Sequence, residues 1–453
     1  MKTKELRDSF FKYIFLNILS TLGISVYILI DTFFISLGMG ADGLAALNLC
    51  LPVFNFINGF GLMLGMGGGS RFSMLYCRTE RSETDKIYTN AFYAALAVSA
   101  GFVLAGVFFS AQLTRLLGAD SLVFAEAHSY LRTVLLFAPA FILNNLLVCF
   151  VRNDGAPKLA TVSVLGSSFA NIVLDYVFIF ELGMGMKGAA LATCISPIIS
   201  MAIMSIHFVT GWNAFRLRFI HPSKRIIRNI SSLGMHAFVT EISGGIVLIV
   251  FNFVLYRLCG NTGIAAYSVI ANLAIVFTAV FTGLSGGVQP LLCKYHGRHN
   301  DAAAKYLLQL SVRTATVLAL LAYSLVYLNT AGFVSAFNGQ EHEGLAEIAE
   351  NGLRLYFLFM PFMGINSVFC VYFTSCEKPR ISQILSLMRG TLLVIPLAFL
   401  FYTMRSVNGI WLTIPIAEFL TTMTAFTAYT VMIRPCGALV YRYAAKQNQR
   451  IYH

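Results

Sequence analysis

Leu131-Arg132-Thr133-Val134-Leu135-Leu136-Phe137-Ala138-Pro139, continued through Asn144 to Pro157-Lys158, decides the fold of this chain because it is written twice. At an offset of 222, Leu353-Arg354 falls on Leu131-Arg132, Pro361 on Pro139, Asn366 on Asn144 and Pro379-Arg380 on Pro157-Lys158, without a gap. An earlier block repeats at an offset of 220, the first repeat offset along the chain, with 222 the second. Ala265-Ala266 falls on Ala45-Ala46, Leu284-Ser285-Gly286-Gly287 on Leu64-Gly65-Met66-Gly67, and Arg298 on Arg78. Two paired prolines and a paired basic residue are hard to reach by chance among apolar segments. The chain reads as one unit, duplicated.

The unit is made for a bilayer. Of 453 residues only 11% are charged and 57% are hydrophobic, and the mean hydropathy is +0.74. A soluble domain carries roughly 25% charged residues, so this chain cannot cover a water-facing surface. Apolar stretches of membrane-spanning length recur at 12–36, 46–74, 88–110, 131–151, 159–180, 188–210, 233–257, 264–292, 308–330, 352–375, 383–403 and 409–432. Period-2 alternation is absent, which excludes an outer-membrane barrel. The expected fold is an all-α polytopic membrane protein of twelve transmembrane helices in two parallel six-helix repeats. An even number of spans gives both halves one orientation, with the substrate site between them. The expected organisation is a first lobe over 1–210, a basic cytoplasmic linker over 211–231, a second lobe over 232–433 and a cytoplasmic tail over 434–453. The region 331–351, with Glu341, Glu343, Glu347 and Glu350, lies outside, either as a short amphipathic surface helix or as a solvated loop.

The net charge of +12 first suggests nucleic acid, but its distribution does not. With a cytoplasmic N-terminus, Arg115, Arg132, Lys187, Arg257, Arg354 and Arg405 alone fall on the far side. All other lysines and arginines, Lys2 and Arg389 included, fall on the near side. That is the positive-inside bias, which places both termini in the cytoplasm. Anionic lipid accounts for the basic loops. The first apolar stretch is too long for a signal peptide and lacks a small-residue cleavage site, so it is expected to be retained. The nine cysteines form no C-x-x-C pair and read as reduced packing residues.

Of 20 acidic residues, Asp31, Asp175, Glu241 and Glu418 fall well inside spans. Each costs roughly 2.5–3.5 kcal/mol to insert unpaired, so such residues are rare and usually functional. Asn171 lies four residues before Asp175, which puts both on one helix face. An amide oxygen beside a carboxylate suits Na⁺, or a proton that comes and goes. Asp31 in the first span and Thr193 in the sixth are expected to converge on the same place. A neutral packing cluster is the alternative. The second half does not repeat it, since Phe251 stands opposite Asp31 and Leu393 opposite Asn171. Glu241 and Glu418 either face a central cavity, where they attract cationic substrates or protons, or are interfacial or arginine-paired. His236 reads as a satisfied interfacial histidine.

Gly61, Gly65 and Gly69 have the spacing that lets helices approach closely. No strand precedes this glycine-rich stretch and no Gly-Lys-Ser follows, so it is not a nucleotide loop. Pro52, Pro139, Pro197, Pro290, Pro361, Pro396 and Pro415 lie in spans, where proline kinks helices. Among many aromatics, Tyr27, Phe54, Phe137, Phe141, Tyr267 and Phe277 are candidates for a cavity lining.

Together these features resemble the multidrug and toxic compound extrusion (MATE) family of antiporters, over nearly the whole chain. The residues that carry the resemblance are Asp31-Thr32 with Gly40-Ala41-Asp42-Gly43-Leu44-Ala45-Ala46, and Asn171-Ile172-Val173-Leu174-Asp175 with Gly188-Ala189-Ala190-Leu191-Ala192-Thr193. Gln289-Pro290 in the eighth span adds to it. The resemblance implies two lobes around a V-shaped cavity, and export of organic, often cationic, compounds in exchange for H⁺ or Na⁺. It implies a first-lobe cation site at Asp31, Asn171, Asp175 and Thr193, with Glu241 as the acidic residue of the seventh span. Two departures stand out. The first span has no proline, and Gly234-Met235-His236 replaces a Gly-x-Pro at the start of the seventh.

The expected function is a cation-coupled exporter, not an enzyme. It has no cofactor beyond the coupling ion, the bilayer and small organic compounds as partners, and no nucleic acid. A monomer in the plasma membrane, a bacterial inner membrane, is expected. The rivals are weaker. A lipid-linked precursor flippase predicts a cavity lined by basic residues, and few fall in spans. A membrane-embedded prenyltransferase needs clustered carboxylates or paired histidines. A channel fits an asymmetric acidic site less well than a carrier.

Overall fold

A computed structural model describes residues 3–77, 81–337 and 343–450. Lys2, Arg78 and Glu341, each named above, lie outside these residues, as does the end of the tail. Among the described residues there are helices and turns and no strand.

Helix Thr3–Tyr76 runs through a break at Gly40, and Lys224–Gly297 through one at Gly260. The two glycines are partners at the first repeat offset and have nearly the same backbone, φ 64°, ψ −150° and φ 63°, ψ −148°. Side chains rarely tolerate that conformation, and glycine does so freely. Each break therefore divides one long helix into two spans, one and two in the first half, seven and eight in the second. The remaining spans are Arg81–Phe108 (three), Pro157–Glu181 (five), Gly185–Val209 (six), Asp301–Leu328 (nine), Ala346–Ser375 (ten), Pro379–Thr403 (eleven) and Val407–Val431 (twelve). Span four is bent by 50° between Phe124–Leu136 and Ala138–Asn153, where Pro139 opens the second piece. Ten helices are long and apolar enough to cross. The bent pair adds an eleventh, and the break at Gly40 divides the longest, which gives twelve crossings.

The repeat is present in the backbone as well as the sequence. Spans five and eleven both begin on a proline, Pro157 and Pro379, where the missing N–H is no loss. The turns before them hold Gly155 and Glu377 in the left-handed region. The turns before spans six and twelve do the same with Gly183 and Arg405. Both pairs are matched at the second repeat offset.

The cores follow the halves, with one exchange. One apolar cluster draws on residues 35–230 and a second on 251–417. A third packs Leu6, Phe10 and Ile14 of span one against Leu284, Val288 and Leu291 of span eight and Phe369 and Phe373 of span ten. In return Ile230, at the start of span seven, belongs to the first cluster. The halves are thus sewn together at the end that carries the N-terminus and the linker. A Cβ on Gly234 would overlap Met63 O, and one on Gly67 would overlap Ile230 O, so spans two and seven touch backbone to backbone. Across the second seam, Asn17 Nδ2 donates to Gly283 O at 2.6 Å and Thr21 Oγ1 to Ala279 O at 2.8 Å. Gln289 Nε2 donates to Ser70 Oγ at 2.5 Å. The glycines expected to allow close helix approach, Gly61, Gly65 and Gly69, do so against Asn145, Cys149 and Asn153 of span four. Their spacing packs the first lobe internally.

The linker is not a free loop. Its residues 224–231 are already helix. The extended part is stitched to the first lobe. Arg216 N donates to Asp85 Oδ1 at 2.9 Å, Arg218 Nε to Asp85 Oδ2 at 2.6 Å, Ala214 N to Asp154 Oδ2 at 2.8 Å and Ser223 N to Asn90 Oδ1 at 2.6 Å. Phe215 is fully buried against Phe72, Tyr88 and Phe150. The helix of span twelve continues to Arg450. In the acidic region, helices Thr330–Phe337 and Glu343–Tyr356 flank residues 338–342, so the helical alternative holds for Glu343, Glu347 and Glu350.

Candidate functional site

The expected first-lobe residues meet. Asp31 comes from span one, Asn171 and Asp175 from span five, and Thr193 from span six, and all four are buried. The Asp31 and Asp175 carboxyl groups are in hydrogen-bonding contact. With its amide turned to satisfy both neighbours, Asn171 Nδ2 donates to Asp175 Oδ2 at 3.2 Å and its Oδ1 accepts from Thr193 N at 3.3 Å. Two carboxyl groups in contact need a proton or a cation between them. Asp31 Oδ1, Asp175 Oδ1 and Thr193 Oγ1 are buried without a partner among the described residues. Buried polar atoms are satisfied as a rule, and an arrangement of such oxygens could hold a proton or a hard cation with its water. Half-buried Tyr27 and buried Tyr130, from span four, lie within electrostatic reach of both carboxyls. No group of three or more His, Cys, Asp or Glu suited to a metal exists among the described residues. The donor set is all oxygen and short of charge, which fits Na⁺ or H⁺ better than a transition metal.

The other candidates are spread over the two halves. Glu241 is half-buried on span seven, and a Cβ on Gly59 of span two would come within 3.5 Å of its Cβ. It therefore sits between the lobes, with no ion-pair partner among the described residues. Beyond it, Pro52, Asn55, Phe56, Ile242, Gly245, Ile246 and Ile249 line a small apolar crevice between the same two spans. Phe54 and Phe141 meet edge to face at 5.3 Å, and half-buried Phe137 packs on the same core. Phe277 packs on Phe357 at 5.6 Å. Tyr267 is built into the second core, stacked on Phe251 at 5.1 Å. His236 is buried, with Nδ1 3.1 Å from Leu233 O and 3.2 Å from Thr374 Oγ1.

Glu418 differs from the expectation of an open cavity acid. It is paired with Arg389 (Nη2 to Oε1, 2.7 Å; Nε to Oε1, 2.9 Å) and accepts from Asn366 Nδ2 at 2.6 Å. Arg389, expected in a cytoplasmic segment, lies within span eleven and is 9% exposed at the side chain. The pairing removes the cost that would keep a lone arginine out. Sequence reasoning also missed Tyr130, since one tyrosine carries no signal in so aromatic a chain.

Comparison with known proteins adds identity to this geometry. The MatE family profile matches residues 17–177 and 237–400, one stretch in each half. The chain belongs to the MatE family. Members are multidrug efflux transporters, secondary transporters that need no cofactor and catalyse no covalent reaction. This MatE chain is 26% identical over 402 residues to the multidrug export protein MepA of Staphylococcus saprophyticus, covering 88% of each chain. The Staphylococcus aureus MepA matches to the same extent. Its fold is similar to a MATE in complex with MaL6 (TM-score 0.89, 21% identity, 95% of this chain and 97% of that one). It is equally similar to an outward-facing multidrug resistance MATE family transporter of the MOP superfamily (TM-score 0.89, 21% identity, 96% and 98%). The multi-pass fold of this MatE protein and its class of activity are thereby settled.

Proposed function

We propose that this MatE transporter exports organic, amphipathic or cationic compounds in exchange for H⁺ or Na⁺ taken up at Asp31, Asn171, Asp175 and Thr193. The observation that carries the reading is the pair of touching carboxyls with buried oxygens left unanswered. An ion that enters there changes the charge balance of the first lobe, and so biases one lobe arrangement over another. Substrate must then weaken ion binding by the same factor as the ion weakens substrate binding. Glu241, half-buried at the seam between lobes, attracts a cationic compound, and the aromatics Tyr27, Phe54, Phe137 and Phe277 give it apolar surface. The lobes move as 1–210 and 232–433, with the stitched linker carried by the first. The protein works as a monomer in a bacterial inner membrane, both termini cytoplasmic. MepA of the staphylococci, named for multidrug export, supports the substrate class. A flippase is not favoured, because Arg389, the basic residue that the structure adds to the spans, is cancelled by Glu418.

The test is ethidium efflux from proteoliposomes under an imposed H⁺ or Na⁺ gradient. One gradient should drive wild-type efflux, and Asp175→Asn should reduce it to the rate of protein-free vesicles while the protein stays folded. Normal gradient-driven efflux by the variant would sink the reading.

A further inference from the structure

The second lobe holds a charged site that this coupling does not use. Arg389 Nη2 and Nε both bond Glu418 Oε1, Arg389 Nη1 donates to Ser367 Oγ at 3.0 Å, and Thr422 Oγ1 donates to Asn366 Oδ1 at 3.1 Å. With Asn366 on Glu418 Oε2, no side-chain oxygen of Glu418, Asn366 or Thr422 is buried without a partner, in contrast to Asp31 and Asp175. At the second repeat offset, Asn366, Arg389, Glu418 and Thr422 fall on Asn144, Ser167, Ser196 and Ser200. The first lobe packs there without charge, Ser196 Oγ donating to Ser167 O at 2.9 Å. The fold therefore does not require an ion pair at this place. In turn, Asp31, Asn171 and Asp175 of the first lobe fall on Phe251, Leu393 and Leu397. The Asp31–Asp175 site and the Glu418 site thus stand at different positions of the repeat, the first without a cation of its own and the second with one.

We propose that Arg389 is a tethered counter-cation that occupies the ion place of Glu418, so that Glu418 exchanges no ion and the ion taken up at the Asp31–Asp175 pair is independent of it. The inference rests on the cation-coupled reading above. An ionised carboxylate inside a membrane span is costly unless it is paired or faces a cavity. A guanidinium is a partner that never deprotonates and, being covalently attached, cannot leave with the transport cycle. The other titratable side chains in electrostatic reach of the pair are Tyr356 and Cys370, neither of them a carboxyl.

The test reads ions rather than transport. Purified full-length protein in nanodiscs is examined for the protonated-carboxyl infrared band across its working pH range, and for bound radioactive sodium. Four proteins are compared: wild type, Asp31→Asn/Asp175→Asn, Arg389→Gln, and Arg389→Gln/Glu418→Gln. The expected result is that the first double variant loses the exchangeable ion, whereas Arg389→Gln/Glu418→Gln keeps the wild-type amount. Arg389→Gln alone should gain one further proton or sodium, which the added Glu418→Gln removes. Loss of band amplitude or bound sodium in Arg389→Gln/Glu418→Gln would overturn the proposal. Should Arg389→Gln fail to fold, the comparison of wild type with that neutral double variant still decides. Failure of the first-lobe reading is separate: it shows as an unchanged signal in Asp31→Asn/Asp175→Asn.

Discussion

In the first lobe, Asp31 and Asp175 share a site whose remaining oxygens find no partner; in the second, Glu418 has Arg389 at 2.7 Å and Asn366 at 2.6 Å, and lacks nothing. Both lobes bury acid away from water, on the same backbone. The second lobe compensates the charge with its own cation, and the first leaves the compensation to the solution. The repeat supplies two matched scaffolds, one holding a carboxyl pair with unanswered oxygens and the other a closed ion pair. An exchanger needs a site of the first kind, and a second one would change how many ions each substrate costs.

The comparison can be broken most violently at the brace. Arg389→Ala leaves Glu418 buried and unpaired, which typically costs about 3–5 kcal/mol. The variant should lose most of its folded yield in detergent. Arg389→Met/Glu418→Gln, neutral and similar in volume, should recover most of it, since replacing a whole buried pair is often nearly neutral. Equal loss from both would mean that the charges themselves hold the lobe. A second effect lies at the seam. Gly234→Ala puts a Cβ against Met63 O, and overpacking of this kind costs about 1–3 kcal/mol. The thermal unfolding midpoint of Gly234→Ala should fall below that of the wild type. Gly244→Ala, with nothing within 4 Å of its Cβ, should leave the midpoint unchanged. A third effect, of similar size, sharpens the comparison of the lobes directly. Asn366→Ala removes a hydrogen bond to a charged group, worth about 1.5–3 kcal/mol. The matched Asn144 has a buried, unpartnered Oδ1, and Asn144→Ala should shift stability by no more than about 0.5 kcal/mol. Thermal unfolding midpoints of the two variants check the difference.

The repeat was readable because its markers are residues with backbone consequences. Pro157 and Pro379 open helices, and Gly40 and Gly260 break them in the same way. The first-lobe site was readable because Asn171 and Asp175 lie one helical turn apart, a pattern that needs no tertiary knowledge. Arg389 was misplaced for a physical reason. Insertion costs treat a charge as alone, and its partner is far away in sequence, on the next span. The way the linker is held was not legible for a related reason. Its hydrogen bonds to Asp85 and Asn90 reach back across most of the first lobe's sequence and come largely from backbone N–H groups, which leave no trace in residue type. Tyr130 and the interlobe role of Gly67 and Gly234 depend on which helix face meets which neighbour, which spacing alone does not tell.

The most direct test of an exchangeable ion in the first lobe is reciprocity at equilibrium. Binding of ethidium to the purified protein, followed by fluorescence anisotropy, is measured at high and low H⁺ and Na⁺ for wild type and Asp175→Asn. The account predicts that one of the two ions weakens wild-type binding and that the substitution erases this dependence. The same ion dependence in wild type and Asp175→Asn would contradict it.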